Sequence, residues 1–238
     1  MLKIQNYTKK YGDFTAVDNL SIEVKRGEIY GFIGPNGAGK STTIKAIVGA
    51  QKFNEGNIYI NGISIKDDAI SCKKITAYVP DNPDVYEHLT GIQYLNFICD
   101  VFGVPENIRN ERILKYATEF EILSSLGDVI SSYSHGMRQK LVLISALAHS
   151  PEFLVLDEPF VGLDPIASHK LKNIMREICD NGGAIFFSTH VLEVAEKLCD
   201  RVGIIMNGKL VKEGAVSDLL KDKSLESFFL ELNNENRS

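Results

Sequence analysis

No stretch of this 238-residue chain is apolar for long enough to cross a bilayer. The longest run, Leu141-Val142-Leu143-Ile144 with its immediate neighbours, falls far short of the roughly 20 residues a spanning helix needs. A membrane role is therefore expected only through a partner, with no direct membrane insertion. Positive charge is also in deficit: 26 Lys and Arg against 31 Asp and Glu leave a formal charge of −5. Duplex nucleic acid demands a basic face, so we expect no nucleic-acid partner. The four cysteines, Cys72, Cys99, Cys179 and Cys199, form no C-x-x-C pair. They read as small buried hydrophobes in a reducing cytosol. His88, His149 and His169 have no metal-ligand spacing and read as packing or surface residues. Met1-Leu2-Lys3-Ile4 reads directly as the start of a strand, so no leader is expected, and no regulatory domain after the last hairpin.

What the chain does have is 44% apolar residues, enough at this length for a full core without disulfides or a structural metal. One α/β unit with an inserted subdomain is the expectation. Just after the apolar run Ile29-Tyr30-Gly31-Phe32-Ile33 comes Gly34-Pro35-Asn36-Gly37-Ala38-Gly39-Lys40-Ser41-Thr42, which fits G-x-x-x-x-G-K-[ST]. Its glycines let successive backbone N–H groups point into one concavity that holds a β-phosphate. Lys40 brings a point charge to the β/γ oxygens, and Ser41 offers a hydroxyl to Mg²⁺. From Thr42 a helix is expected, with Ile44, Ile47 and Val48 on one face and its N-terminus toward the anion. The motif implies a site for ATP or GTP.

Alternation at Leu20-Ser21-Ile22-Glu23-Val24 and at Asn57-Ile58-Tyr59-Ile60 predicts half-exposed strands, the second turning at Asn61-Gly62 into Ile63-Ser64-Ile65. These would form an antiparallel sheet. Phe153-Leu154-Val155-Leu156 and Ala184-Ile185-Phe186-Phe187 are continuous apolar runs, as parallel strands covered on both faces require. Between them Asp164-Pro165 starts a helix with Leu171, Ile174, Met175 and Ile178 on its buried stripe, ended by Asn181-Gly182-Gly183. From about Tyr86 to Ser150 the pattern is helical. Thr90-Gly91-Ile92-Gln93 is a capping box before Leu95, Ile98 and Phe102; a second stripe is Ile108, Ile113, Leu114, Ala117 and Phe120; Ser134 caps a third helix carrying Leu141, Ile144 and Ala148. A late hairpin turns on Asn207-Gly208, and Leu225, Phe228, Phe229 and Leu232 predict a final amphipathic helix.

Hydrolysis needs a second feature. Leu156 is followed by Asp157-Glu158, which sets one carboxylate at the end of a buried strand, where Mg²⁺ lies between β- and γ-phosphates. Glu158 is placed to polarise the attacking water.

In the order and number of these motifs the whole chain resembles the nucleotide-binding subunit of ATP-binding cassette (ABC) transporters. Ser134-His135-Gly136-Met137-Arg138-Gln139 matches the family's signature, Gly162-Leu163-Asp164 its D-loop, and Ser188-Thr189-His190 its switch histidine. The resemblance implies a P-loop NTPase fold, with a RecA-like core and an antiparallel β subdomain in 1–84 and 151–216, an inserted α-helical subdomain in 85–150, and a C-terminal helix and tail in 217–238. It implies Glu158 and His190 as catalytic residues, and Ser41, Asp81 and Asp157 around Mg²⁺. Tyr11, Val17, Asn36, Gly37, Ala38, Gly39, Lys40, Ser41 and Thr42 would bind nucleotide. Tyr11 takes the place that stacks on adenine, although Tyr7 and Phe14 flank it and any of the three can pack in the core. The resemblance further implies a head-to-tail pair of cassettes in which Ser134, His135, Gly136 and Asp164 of one chain meet the ATP of the other. One chain alone leaves that helix N-terminus facing solvent.

Two departures stand out. The usual LSGGQ reads Tyr133-Ser134-His135-Gly136-Met137, and the usual glutamine of the following-strand loop is Asp81, a carboxylate still able to serve Mg²⁺ directly or through water. Both are similar to ATPase subunits of ABC-2-type exporters. The expected partners are thus an ABC-2-type permease and a second cassette, with the chain peripheral on the cytoplasmic face of the membrane and Asn82 to His88 against the permease. A soluble ABC ATPase on ribosomes or DNA lacks support, since there is one motif set and no coiled-coil arm. A regulatory subunit with little turnover remains the other alternative.

Overall fold

The computed structural model describes residues 1–220 and 224–227. β1 (Leu2–Tyr11) and β2 (Phe14–Val24) pair antiparallel, from Leu2 against Val24 to Tyr11 against Phe14. In β2, Leu20, Ile22 and Val24 are buried while Ser21 and Glu23 face solvent, the alternation one covered face produces. β3 (Ile29–Ile33) is buried at every position and leads through a loop into α1 (Lys40–Ile47). β4 (Glu55–Ile60) turns into β5 (Ile63–Ser64) through Asn61 and Gly62 at φ +50° and +80°, the two positive values of a primed hairpin turn. β1 also pairs with β4, completing the expected antiparallel sheet in the order β2-β1-β4-β5.

α2 (Ala69–Lys74) precedes β6 (Thr76–Val79). Then come α3 (Gly91–Val101), α4 (Glu106–Glu119) and α5 (His135–Ala148). β7 (Phe153–Asp157), α6 (Pro165–Asp180), β8 (Ala184–Thr189), α7 (Leu192–Leu198), β9 (Arg201–Met206), β10 (Lys209–Ala215) and α8 (Val216–Leu220) follow. A second sheet runs β10-β9-β3-β8-β7-β6, parallel throughout except for β10 at its edge. Its strands alternate between two cores. Tyr30, Phe32 and Phe186 pack with Ile44 and Ile47 of α1 and the first sheet. Ile29, Ile33 and Phe187 pack with Leu141, Ile144, Leu171 and Met175 of the helices.

Local signals were obeyed where capping chemistry set them. Thr90 Oγ1 accepts from the Gln93 N–H and Gln93 Oε1 from the Thr90 N–H, at 3.3 and 2.9 Å. Asp164 accepts from the Ala167 N–H at 2.8 Å with Pro165 at the first helical position of α6. The stripe of α4 is narrower than expected: Ile113, Ala117 and Phe120 are buried, but Leu114 is 55% exposed. Leu114 lies about 100° around the helix from Ile113, which takes it off the face shared by positions four apart. Phe102 ends α3 and stacks on His149 with ring centroids 3.7 Å apart, so His149 is a packing residue. All four cysteines are free and buried. Of the expected final helix, Leu225 is buried and donates its N–H to Glu196 Oε2 at 3.0 Å; Phe228, Phe229 and Leu232 lie outside the described residues. No described helix is long and apolar enough to cross a membrane.

Candidate nucleotide site

Parallel strands of one sheet end on the same side, and open α/β sheets bind ligands outside those carboxyl ends. Four exits meet here: β3 into Gly34–Gly39, β6 into Pro80-Asp81, β7 into Glu158, and β8 into His190. At Gly34 a Cβ would lie 2.3 Å from the Ile205 carbonyl oxygen, so only glycine lets the loop leave the strand there. Gly39 sits at φ +109° as the N-cap of α1, and no side chain caps that helix. Its first-turn N–H groups are left for an anion. Lys40 is 6% exposed; its Nζ donates to the Gly34 and Pro35 carbonyls at 2.7 and 3.2 Å and stands 3.6 Å from Glu158 Oε1. A buried ammonium is tolerated because oxygens surround it, and those oxygens aim it across the loop.

A cleft of about 340 Å³ opens at this point, lined by Asn36, Gly37, Gly39 to Thr42, Asp81 and Glu158, with Tyr11, Phe14 and Ala16 from the first sheet. Ala38 is buried behind it. The three aromatics separate cleanly. Tyr7 is fully buried and donates to the Thr42 carbonyl at 3.2 Å, whereas Tyr11 is 50% and Phe14 65% exposed. Val17, expected to touch nucleotide, is fully buried, and a Cβ on Gly39 would meet its Cγ2 at 3.0 Å. Ala16, next to it, lines the cleft. The register jumps from Lys9–Val17 to Lys10–Thr15, so Ala16 is the extra residue of a bulge that re-aims β2.

At the exit of β7, Asp157 is 3% exposed and accepts from the Ser188 hydroxyl. Glu158 adopts φ +48°, in the left-handed region that non-glycine residues seldom occupy. Ser188 holds this conformation: its Oγ and its carbonyl accept from the Glu158 N–H at 3.1 and 3.3 Å. Glu158 Oε1 lies 3.0 Å from His190 Nδ1, and Oε2 accepts from the His190 N–H at 3.3 Å. Lys40, Glu158 and His190 thus form one continuous polar constellation. Burial, then the charges of Asp157 and Glu158, push the Asp81 carboxyl above its ordinary value. The Ser41 hydroxyl lines the same cleft as the Asp81 and Glu158 carboxylates, and all-oxygen donors of this kind fit Mg²⁺ when phosphates and water complete its shell.

The signature residues gather elsewhere. Ser134 caps α5, its Oγ accepting from the Met137 N–H at 3.3 Å, and Ser134 and His135 are exposed. Here α5 presses on the loop before α6. A Cβ on Gly136 would lie 2.9 Å from the Gly162 carbonyl oxygen, and one on Gly162 (φ +80°) 2.7 Å from His135 Cδ2. Lys140 Nζ is 2.6 Å from Asp164 Oδ2. The Ala167 N–H, then Lys140, hold the Asp164 carboxyl below its usual range. Among the described residues none of Ser134, His135, Gly136 and Asp164 lines the cleft of its own chain. Ser188 was not singled out from the sequence as a support for Glu158, although a serine closing an otherwise apolar strand was a signal for it.

Fold and site together define a P-loop nucleoside triphosphatase. The family model described as "ABC transporter" matches residues 17–161. The ABC-type transporter ATP-binding protein EcsA of Bacillus subtilis (strain 168) is 33% identical over 240 residues, 99% of this chain and 97% of that protein. A solved structure described as the ATP binding subunit of an ABC transporter superposes with a TM-score of 0.94 at 34% identity, covering 98% of this chain and 99% of the other. The ATP-binding cassette MJ0796, solved as a post-hydrolysis dimer bound to ADP and Pi, shares the fold with a TM-score of 0.81 at 23% identity, over 91% and 99% of the two chains. This chain belongs to the ABC transporter family, as an ATP-binding subunit and an ATPase.

Proposed function

We propose that this chain hydrolyses ATP on the cytoplasmic face of the membrane to drive a separate ABC-2-type permease in the outward direction, paired head to tail with a second cassette. The observation that carries the reading is the contact of Lys40 and His190 with Glu158 at the ends of three adjacent strands, β3, β8 and β7. When triphosphate enters, Lys40 exchanges Glu158 for the β/γ oxygens and the uncapped N-terminus of α1 takes the phosphate charge. Glu158, still gripped by His190, orients the attacking water. Ser41 and Asp157, with Asp81 beside them, would hold Mg²⁺, which neutralises charge on the transferring phosphoryl group. Ser134 and Gly136 of the second cassette close over the γ-phosphate with the first-turn N–H groups of α5.

In this reading 1–84 and 151–216 are the core and β subdomain, and 85–150 is the helical subdomain that presents Ser134. The segment Asn82–His88 meets the permease. Arg138 Nη1 bonds Glu87 Oε1 at 2.5 Å, so pressure on that segment reaches the start of α5. The dimeric, product-bound MJ0796 supports the pairing. His135 and Asp81, similar to ABC-2-type exporter subunits, support the direction.

Phosphate release from purified protein tests the reading. Glu158→Gln is expected to slow turnover roughly 10²- to 10³-fold while keeping Mg-ATP binding. Wild type and variant equally inactive, alone and with the permease, would instead make this a regulatory ATP-binding subunit.

A further inference from the structure

The ring offered to the base is tied to the phosphate loop by one carboxamide. The Tyr11 hydroxyl, at the end of β1, donates to Gln51 Oε1 at 2.8 Å. The Nε2 of the same amide donates to the Thr42 carbonyl, in the first turn of α1, at 2.6 Å. Gln51 is itself fixed, since its backbone N–H and that of Ala50 both donate to the Lys45 carbonyl, at 3.2 and 2.8 Å. The next residues are stitched to β1. Asn54 donates its N–H to the Thr8 carbonyl at 3.1 Å and accepts from the Lys10 N–H at 2.8 Å, while Lys9 Nζ donates to the Lys52 carbonyl at 2.8 Å. That ammonium also lies 4.7 Å from the Tyr11 ring centroid, covering one face and leaving the other for a base.

We propose that Gln51 is a positioning residue that sets the distance between the base-stacking ring and the phosphate loop. The proposal rests on the reading of Tyr11 as the ring that stacks on the base. Each end of the Gln51 amide makes a bond within the chain, and these bonds place the ring relative to α1. Stacking and phosphate binding reinforce each other only when ring and loop are spaced to fit one nucleotide, and a ring left to swing gives up part of its contact as ordering entropy. Removing either end of the bridge has the same consequence, because Tyr11 and Gln51 then lose a shared interaction.

The test is calorimetric binding of Mg-ATP and of Mg-tripolyphosphate, which has no base, to wild type, Tyr11→Phe, Gln51→Ala, the double variant and Tyr11→Ala. Gln51→Ala and Tyr11→Phe are each expected to weaken ATP roughly 3- to 10-fold. Tripolyphosphate should bind all five proteins alike, which also reports an intact loop. The double variant should be no weaker than either single change. Equal weakening of tripolyphosphate by Gln51→Ala would reduce Gln51 to loop support and overturn the proposal, as would full additivity. Should Tyr11→Ala weaken ATP while Gln51→Ala and Tyr11→Phe do not, stacking stands and the Gln51 role falls. If Tyr11→Ala leaves ATP binding unchanged, the stacking reading itself is wrong.

Discussion

The two helix starts proposed to flank the nucleotide are built in opposite ways. At α1 no side chain caps the helix, Gly39 stands at φ +109°, and Lys40 is held almost out of solvent by two loop carbonyls and Glu158. At α5 the cap is internal, supplied by Ser134, and both Ser134 and His135 face solvent. One half is an anion hole already shaped in the single chain; the other is a capped, solvent-facing surface that in the proposed pairing meets a phosphate only on a second cassette. In the proposed reading, phosphate binding and turnover therefore belong to different assemblies. On that reading a protomer has what it needs to bind, and only a pair has what it needs to close.

The largest expected effect breaks the first half alone. Lys40→Ala should weaken Mg-ATP by roughly 10²- to 10³-fold in equilibrium binding, because it deletes a buried, hydrogen-bonded charge. Ser134→Ala breaks the second half. It should leave ATP affinity of the isolated chain unchanged and lower turnover by about 10²-fold, the cost of one missing anion donor; phosphate release beside calorimetry checks both. A smaller effect sharpens the contact behind Ser134. Gly162→Ala should cost about 1–2 kcal/mol in chemical unfolding, from a positive φ and the clash with His135. Adding His135→Ala should recover the clash and leave the backbone cost, a non-additivity read from a double-mutant cycle. The smallest lies at the other end of α5. Burial holds the His149 imidazole below its ordinary value, so the folded state resists protonating it. Its contribution to stability is complete above pH 6.5, the unfolded value, and is lost as pH falls toward the lower folded value. His149→Phe should flatten the acid limb of a Tm-against-pH series and change little at pH 8.

Much of this contrast was legible in the sequence, for a physical reason. The phosphate loop, the capping box at Thr90 and the Asp164-Pro165 helix start place all their chemistry within a few consecutive residues. The apolar runs of β7 and β8 announced strands covered on both sides. What stayed hidden depends on residues distant in the chain. Ser188 bracing Glu158, and Gln51 joining Tyr11 to Thr42, are contacts between residues far apart in the chain; the serine that closes the apolar run of β8 marks a polar position but not its partner. Val17 came with the family resemblance; that Ala16 lines the cleft while Val17 is buried depends on a bulge in β2, and bulges leave no compositional mark. Leu114 was assigned to a buried face because apolar type was read without knowing how wide the covered face would be.

Light-scattering mass measurement on the Glu158→Gln protein tests the composite site most directly. With saturating Mg-ATP the mass should double, and the added change Ser134→Ala should return it to that of a single chain. A mass that stays at one chain with nucleotide fully bound would contradict closure by a second cassette.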